Sequence, residues 1–191
     1  MRKFLLLAFI LTACIHIEKM PSAKVDDGYS SLSTEELNRI KQASSSSTGQ
    51  ELNPVRWINA EDLKQISKGK RSWVIIWASW CPHSINLLET KVLYYSDSLR
   101  NRLAVIPVAQ NINLDYQLSF FKKMECRSPL YIINSLKYGT DENTKVRSFL
   151  RELKVDESLI IKSTPINLLI DETGKVLKIK YGEGIDDEFF R

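Results

Sequence analysis

Cysteine, histidine and long apolar runs are all scarce in this chain of 191 residues. It has three cysteines, Cys14, Cys81 and Cys126, too few for a disulfide-stapled scaffold. It has only two histidines, His16 and His83, and its cysteines are far apart, so ligand spacing suggests no metal centre. No glycine-rich phosphate loop and no Ser-His-Asp arrangement can be placed, and no cofactor is implied. The apolar run from Phe4 to Leu11 is too short for a membrane-spanning helix, which needs about 20 residues. Charge of one sign is also lacking. Lys and Arg total 27 against 23 Asp and Glu, and the basic residues are interleaved with acids, which argues against nucleic acid as a partner.

What is present begins with a targeting pattern. Arg2-Lys3 gives a basic start, Phe4 to Leu11 an apolar stretch, and Thr12-Ala13-Cys14 small residues ending in cysteine. Removing Arg2 and Lys3 with such a leader lowers the formal charge from +4 to +2. The stretch Leu11-Thr12-Ala13-Cys14 resembles the bacterial lipobox, which implies a signal peptide over 1–13 and a lipid on Cys14. An ordinary cleaved signal peptide or an uncleaved anchor is the alternative. An exported chain sits where disulfides form and persist. With Cys14 lipidated, Cys81 and Cys126 are left to form one bridge or none.

Residues 14–52 read as a tether, with the polar run Ser44 to Gly49 in its second half. Ser33-Thr34-Glu35-Glu36 ahead of Leu37 and Ile40 is a capping-box pattern, so a short helix is expected inside it. The domain is expected over 53–191. Asn59 and the acids after it open a helix carrying Leu63 and Ile66, which Gly69 ends. Ser72 to Ala78 is continuously apolar, as in a strand buried on both faces. Pro82 suits a first helical turn, with Ile85, Leu88, Val92 and Tyr95 forming a stripe. Leu103 to Ala109 is a second buried strand, in which Pro107 argues for an end or a bulge. Leu114 to Met124 reads as a helix, Leu130 to Ile133 as a short strand, and Lys145 to Leu153 as an amphipathic helix. Ile166 to Ile170 and Val176 to Tyr181 form a hairpin about the turn Asp171 to Gly174. The order implies an α/β domain with a central mixed sheet flanked by helices.

The chemistry concentrates in Trp77-Ala78-Ser79-Trp80-Cys81-Pro82-His83-Ser84. A cysteine between a buried strand and a helix faces the unpaired N–H groups of the first turn, which favour the thiolate. Pro82 loses no hydrogen bond there, and His83 is expected to add a donor or a positive charge near the sulfur. Cys81 is therefore the candidate nucleophile; an inert buried cysteine is the alternative.

The segment from about Asn59 to Phe190 resembles the thioredoxin superfamily, in particular its exported TlpA- and ResA-like lipoproteins. Three stretches carry the resemblance: the junction just quoted, Ser163-Thr164-Pro165-Ile166, and the hairpin Leu169 to Lys175. The material between Leu114 and Leu153 fits the insert of that branch. The resemblance implies a thioredoxin-like fold, a cis bond between Thr164 and Pro165, and substrate contacts from Trp80, Pro82, Thr164 and Pro165. It implies a cell-envelope location, on the periplasmic or outer-surface side. Its partners are exported proteins or small thiols bearing disulfides, together with the membrane through Cys14.

Two positions depart from the family pattern. Ser84 stands where the family has its resolving cysteine, and Ile75 where many thioredoxins have a buried aspartate. A serine hydroxyl forms no disulfide, so a dithiol cycle does not close within the motif. Single-cysteine exchange at Cys81 is expected, with resolution by a second thiol from substrate, small molecule or Cys126. The alternatives are a non-catalytic peptide-binding module and peroxidase-like chemistry through a sulfenic acid.

Overall fold

The computed structural model describes residues 25–42, 54–92, 95, 103–126, 128–160 and 163–191. A seven-stranded sheet forms its middle layer: β1 (Lys41–Gln42), β2 (Val55–Ile58), β3 (Ser72–Trp77), β4 (Ala104–Ala109), β5 (Leu130–Ile133), β6 (Ile166–Ile170) and β7 (Val176–Tyr181). They lie in the order β1-β2-β5-β4-β3-β6-β7. From β1 to β3 neighbouring strands are parallel, whereas β6 runs antiparallel to both β3 and β7. This mixed sheet, with a helix leaving the end of β3 and an antiparallel hairpin beside it, is thioredoxin-like, as the sequence implied. The expected leader, residues 1–13, and Cys14 lie outside the described residues.

Helices cover both faces. They are α1 (Thr34–Arg39), α2 (Ala60–Ser67), α3 (Pro82–Leu87), α4 (Leu114–Lys123), α5 (Ser135–Tyr138) and α6 (Glu142–Glu152). Side chains alternate across a strand, and β3 shows how this builds two cores. Trp73, Ile75 and Trp77 join one cluster with Leu87 of α3 and Phe120 and Phe121 of α4. Val74 and Ile76 join the other, with Leu63 of α2 and Phe149 and Leu150 of α6. All of β3 is buried, which explains its unbroken apolar run.

Several details differ from the sequence reading. Pro107 lies inside β4 rather than at an end or a bulge. It is in register with Ile75 of β3, while β5 pairs with β4 only from Val108 onward. Pro107 therefore sits where the ladder is locally one-sided, which tolerates a missing N–H. Helix α6 starts before the expected Lys145 because the Asp141 carboxylate accepts the Thr144 N–H at 2.8 Å. The short helix α5 was not anticipated.

The segment read as tether also contributes to the domain between residues 25 and 42. Its helix α1 carries the expected capping box between Ser33 and Glu36, and β1 extends the sheet. Upstream of them, Asp27 is buried against Ser135 and Lys145. Gly28 has φ +92°, and a Cβ there would run into the Ile112 carbonyl. Only glycine accepts both that backbone conformation and that approach without strain.

Candidate functional site

Where β3 ends, the chain makes a tight turn, with the Cys81 N–H donating to the Ala78 carbonyl at 3.2 Å. Cys81 is the N-cap of α3, and its carbonyl accepts the first helical bond, from Ile85 at 3.1 Å. Pro82 follows at the first helical position, where its missing N–H costs nothing. Six residues later α3 passes into a π-turn over Leu88–Val92.

The Cys81 thiol is almost fully buried and donates to the Thr164 carbonyl at 3.5 Å. The Thr164–Pro165 bond is cis, as the resemblance implied. Ser84 is completely buried. Its hydroxyl accepts the Ala78 N–H at 3.3 Å and lies 3.4 Å from the Thr164 hydroxyl. Cys81, Ser84, Thr164 and Pro165 therefore meet at one point, joining the β3–α3 junction to the start of β6. One strand position further along, Asn167 accepts the buried Trp73 indole N–H at 3.0 Å, which fixes β6 to β3.

His83 has a carboxylate partner outside the turn. Its ring is largely exposed, and Nδ1 is 3.2 Å from a Glu183 carboxylate oxygen. The other oxygen accepts from Asn86 at 2.5 Å. These two donors hold Glu183 below the usual carboxylate range, Asn86 having the larger effect. Among the described residues no hydrogen bond joins His83 to the Cys81 sulfur. Cys126 is not joined to Cys81 either: both are free thiols, and the Cys126 sulfur is 3.0 Å from the Ser128 hydroxyl. Ile75 is fully buried in the apolar core.

Three residues missed in the sequence surround the turn. Asn111 accepts the Ser79 N–H at 2.9 Å and donates to the Ser79 hydroxyl at 2.7 Å. Glu142, buried at the start of α6, accepts the Trp80 indole N–H at 3.1 Å. Gln110 donates to that same Glu142 oxygen at 2.5 Å. Burial pushes the Glu142 carboxyl upward, and the two donors offset part of that. Beside them a cavity of about 340 Å³ runs from Trp80 and Glu142 to Val146, Ile160, Ser163 and Thr164. Trp80 remains 59% exposed on its wall. The one available clue in the sequence was Asp141 as an N-cap, which places Glu142 in a first helical turn.

The fold class follows from the strand order and from the junction that carries Cys81. No protein-family model matches the chain, and no curated protein is significantly similar to it. Among solved structures it is similar to StoA from Bacillus subtilis, at 19% identity over 64% of this chain and 81% of that one, with a TM-score of 0.42. It is similar to the exposed lipoprotein thioredoxin Etrx1 from Streptococcus pneumoniae TIGR4, at 18% identity over 66% and 83%, TM-score 0.45. A thioredoxin family thiol:disulfide interchange protein from Chlorobium tepidum TLS gives 17% identity over 61% and 72%, TM-score 0.43.

Proposed function

We propose that this protein is a lipid-anchored, thioredoxin-like protein of the bacterial cell envelope that carries out single-cysteine thiol–disulfide exchange at Cys81. The observation behind this reading is the placement of the Cys81 sulfur against the Thr164 carbonyl, with a buried hydroxyl, Ser84, in place of a second thiol. The Cys81 thiolate attacks one sulfur of a substrate disulfide. A mixed disulfide forms, and the other sulfur leaves as a thiolate and takes up a proton. A second thiol, from the substrate or a small molecule, then attacks the mixed disulfide and releases Cys81. Each exchange breaks one S–S bond and forms another, so no external oxidant or reductant is consumed. This suits disulfide isomerisation or removal of small thiols better than net oxidation. The leader 1–13 is removed in this reading, and Cys14 carries the acyl anchor.

The test is incubation of the full chain with hydroxyethyl disulfide, followed by intact-mass analysis and peptide mapping. Cys81 should form a mixed disulfide that a second thiol releases, faster than Cys126 does. A Cys81 no more reactive than Cys126 would sink the reading. A second reading, a non-catalytic peptide-binding module, is favoured by the cavity beside Thr164 and by the exposed Trp80 on its wall. An unreactive Cys81 combined with saturable peptide binding would establish it. Acyl-group analysis of Cys14 in protein purified from cells tests the anchor.

A further inference from the structure

We infer that Glu142 is a positioning residue for the exchange site, holding the Trp80 indole and with it the turn that presents Cys81, and that the segment around Asp27 braces it. This rests on the reading of Cys81 as the nucleophile. Each residue of the turn before Cys81 is pinned by a different side chain: Ala78 by Ser84, Ser79 by Asn111 and Trp80 by Glu142. The first two pins hold the backbone N–H. The third holds the indole of a residue that packing alone leaves more than half exposed.

The surroundings of Glu142 are costly to build. Three ionisable side chains, Asp27, Glu142 and Lys145, are buried together. The Lys145 ammonium is joined to Asp27 and donates to the Ser135 hydroxyl at 3.2 Å. Burial pushes Lys145 downward from its ordinary value while Asp27 pulls it back. The segment from Val25 to Gly28 clamps the same place through its backbone. The Glu142 N–H donates to the Val25 carbonyl at 2.9 Å, and the Asp27 N–H to the Thr140 carbonyl at 2.9 Å. The Ile112 N–H donates to the Asp27 carbonyl at 2.5 Å, beside Asn111. One short segment thus braces both loops that hold the turn.

Stability does not account for this arrangement. Asp141 already caps α6, and replacing a buried ion pair with well-packed apolar groups is often neutral or stabilising. A buried polar network that stability does not require is expected where it holds a geometry that is used. Here the geometry is that of Trp80, the neighbour of the nucleophile.

The decisive experiment compares the full chain with Glu142→Ala, Glu142→Gln, Trp80→Phe and the double variant Trp80→Phe/Glu142→Ala. The readouts are mixed-disulfide formation with hydroxyethyl disulfide, iodoacetamide alkylation of Cys81 and Cys126, and the indole N–H resonances of the four tryptophans. If freeing Trp80 lowers the competent fraction to about a tenth, exchange falls about tenfold. Glu142→Ala should show that loss and shift the Trp80 indole resonance, with Cys126 unchanged. Glu142→Gln, which keeps an acceptor oxygen, should restore the rate to within about threefold. Trp80→Phe should match Glu142→Ala, and the double variant should be no slower than either. Unchanged Cys81 rates in Glu142→Ala, or additive losses in the double variant, overturn the inference. If even the unmodified chain fails to exchange, the oxidoreductase reading falls by itself. The alkylation rates of Cys81 then decide on Glu142: coupled, non-additive changes support it, and unaltered rates refute it.

Discussion

Two carboxylates flank Cys81, and they face opposite environments. Glu142 receives Trp80, one residue before Cys81, in a buried pocket. Glu183 receives His83, two residues after it, at the surface. Burial pushes Glu142 upward, while its hydrogen-bond donors hold Glu183 down. The difference shows where the site draws its rigidity. Contacts in water are screened and compete with hydration, whereas buried contacts have no substitute when lost. The side of Cys81 that the sequence made conspicuous, through His83, is the weakly held one. The firmly held side depends on residues that carry no motif.

The strongest way to break this contrast is Lys145→Met. It leaves Asp27 buried without its cation, at a cost of about 3–5 kcal/mol, and denaturant titration should show the loss. His83→Gln on the other side should leave the denaturation midpoint unchanged within error. Equal losses on the two sides would erase the distinction. The next largest effect is expected at Ser84. Ser84→Ala strips the buried Ala78 N–H of its acceptor and should lower stability by about 1–3 kcal/mol. Ser84→Cys tests the chemistry instead: the introduced thiol should form an internal disulfide with Cys81, and the variant should gain insulin-reducing activity. No gain would mean that more than Ser84 separates this site from a dithiol one.

The smallest effects concern pH, and the two carboxylates should differ in sign. The folded-state value for Glu142 lies above its ordinary 4.5. Its contribution to stability is therefore full below that ordinary value and is lost as pH rises through the folded one. The folded-state value for Glu183 lies below 4.5. Its contribution is present above 4.5 and is lost as pH falls through the folded value. Thermal melts of Glu142→Gln should thus improve relative to the unmodified chain on going from about pH 4 to pH 8. Those of Glu183→Gln should worsen over the same range. Parallel curves would show that the two environments do not differ as the structure indicates.

Much of the frame was legible in the sequence because it depends on local patterns. The apolar run of β3, the Ser33 capping box, Pro82 at the head of α3 and the hairpin turn at Asp171 each arise from contacts within a few residues. Pro107 misled because proline's cost depends on which neighbouring strand is present, and that is not a local property. The start of α6 was missed because its cap, Asp141, lies outside the amphipathic stripe.

By itself the sequence determined which atoms are available for chemistry: a lone sulfur at Cys81, a hydroxyl at Ser84 and no acid at Ile75. It also determined the strand–turn–helix that presents them, since backbone preference and side-chain periodicity act over short distances. Tertiary structure alone decided what holds that turn. His83 turned out to the surface and Glu183, while Asn111, Glu142 and the distant Asp27–Lys145 pair closed in from the interior. A polar side chain's partner depends on which segments meet and on how much water they exclude. Both are set by packing across the sheet rather than by neighbours along the chain.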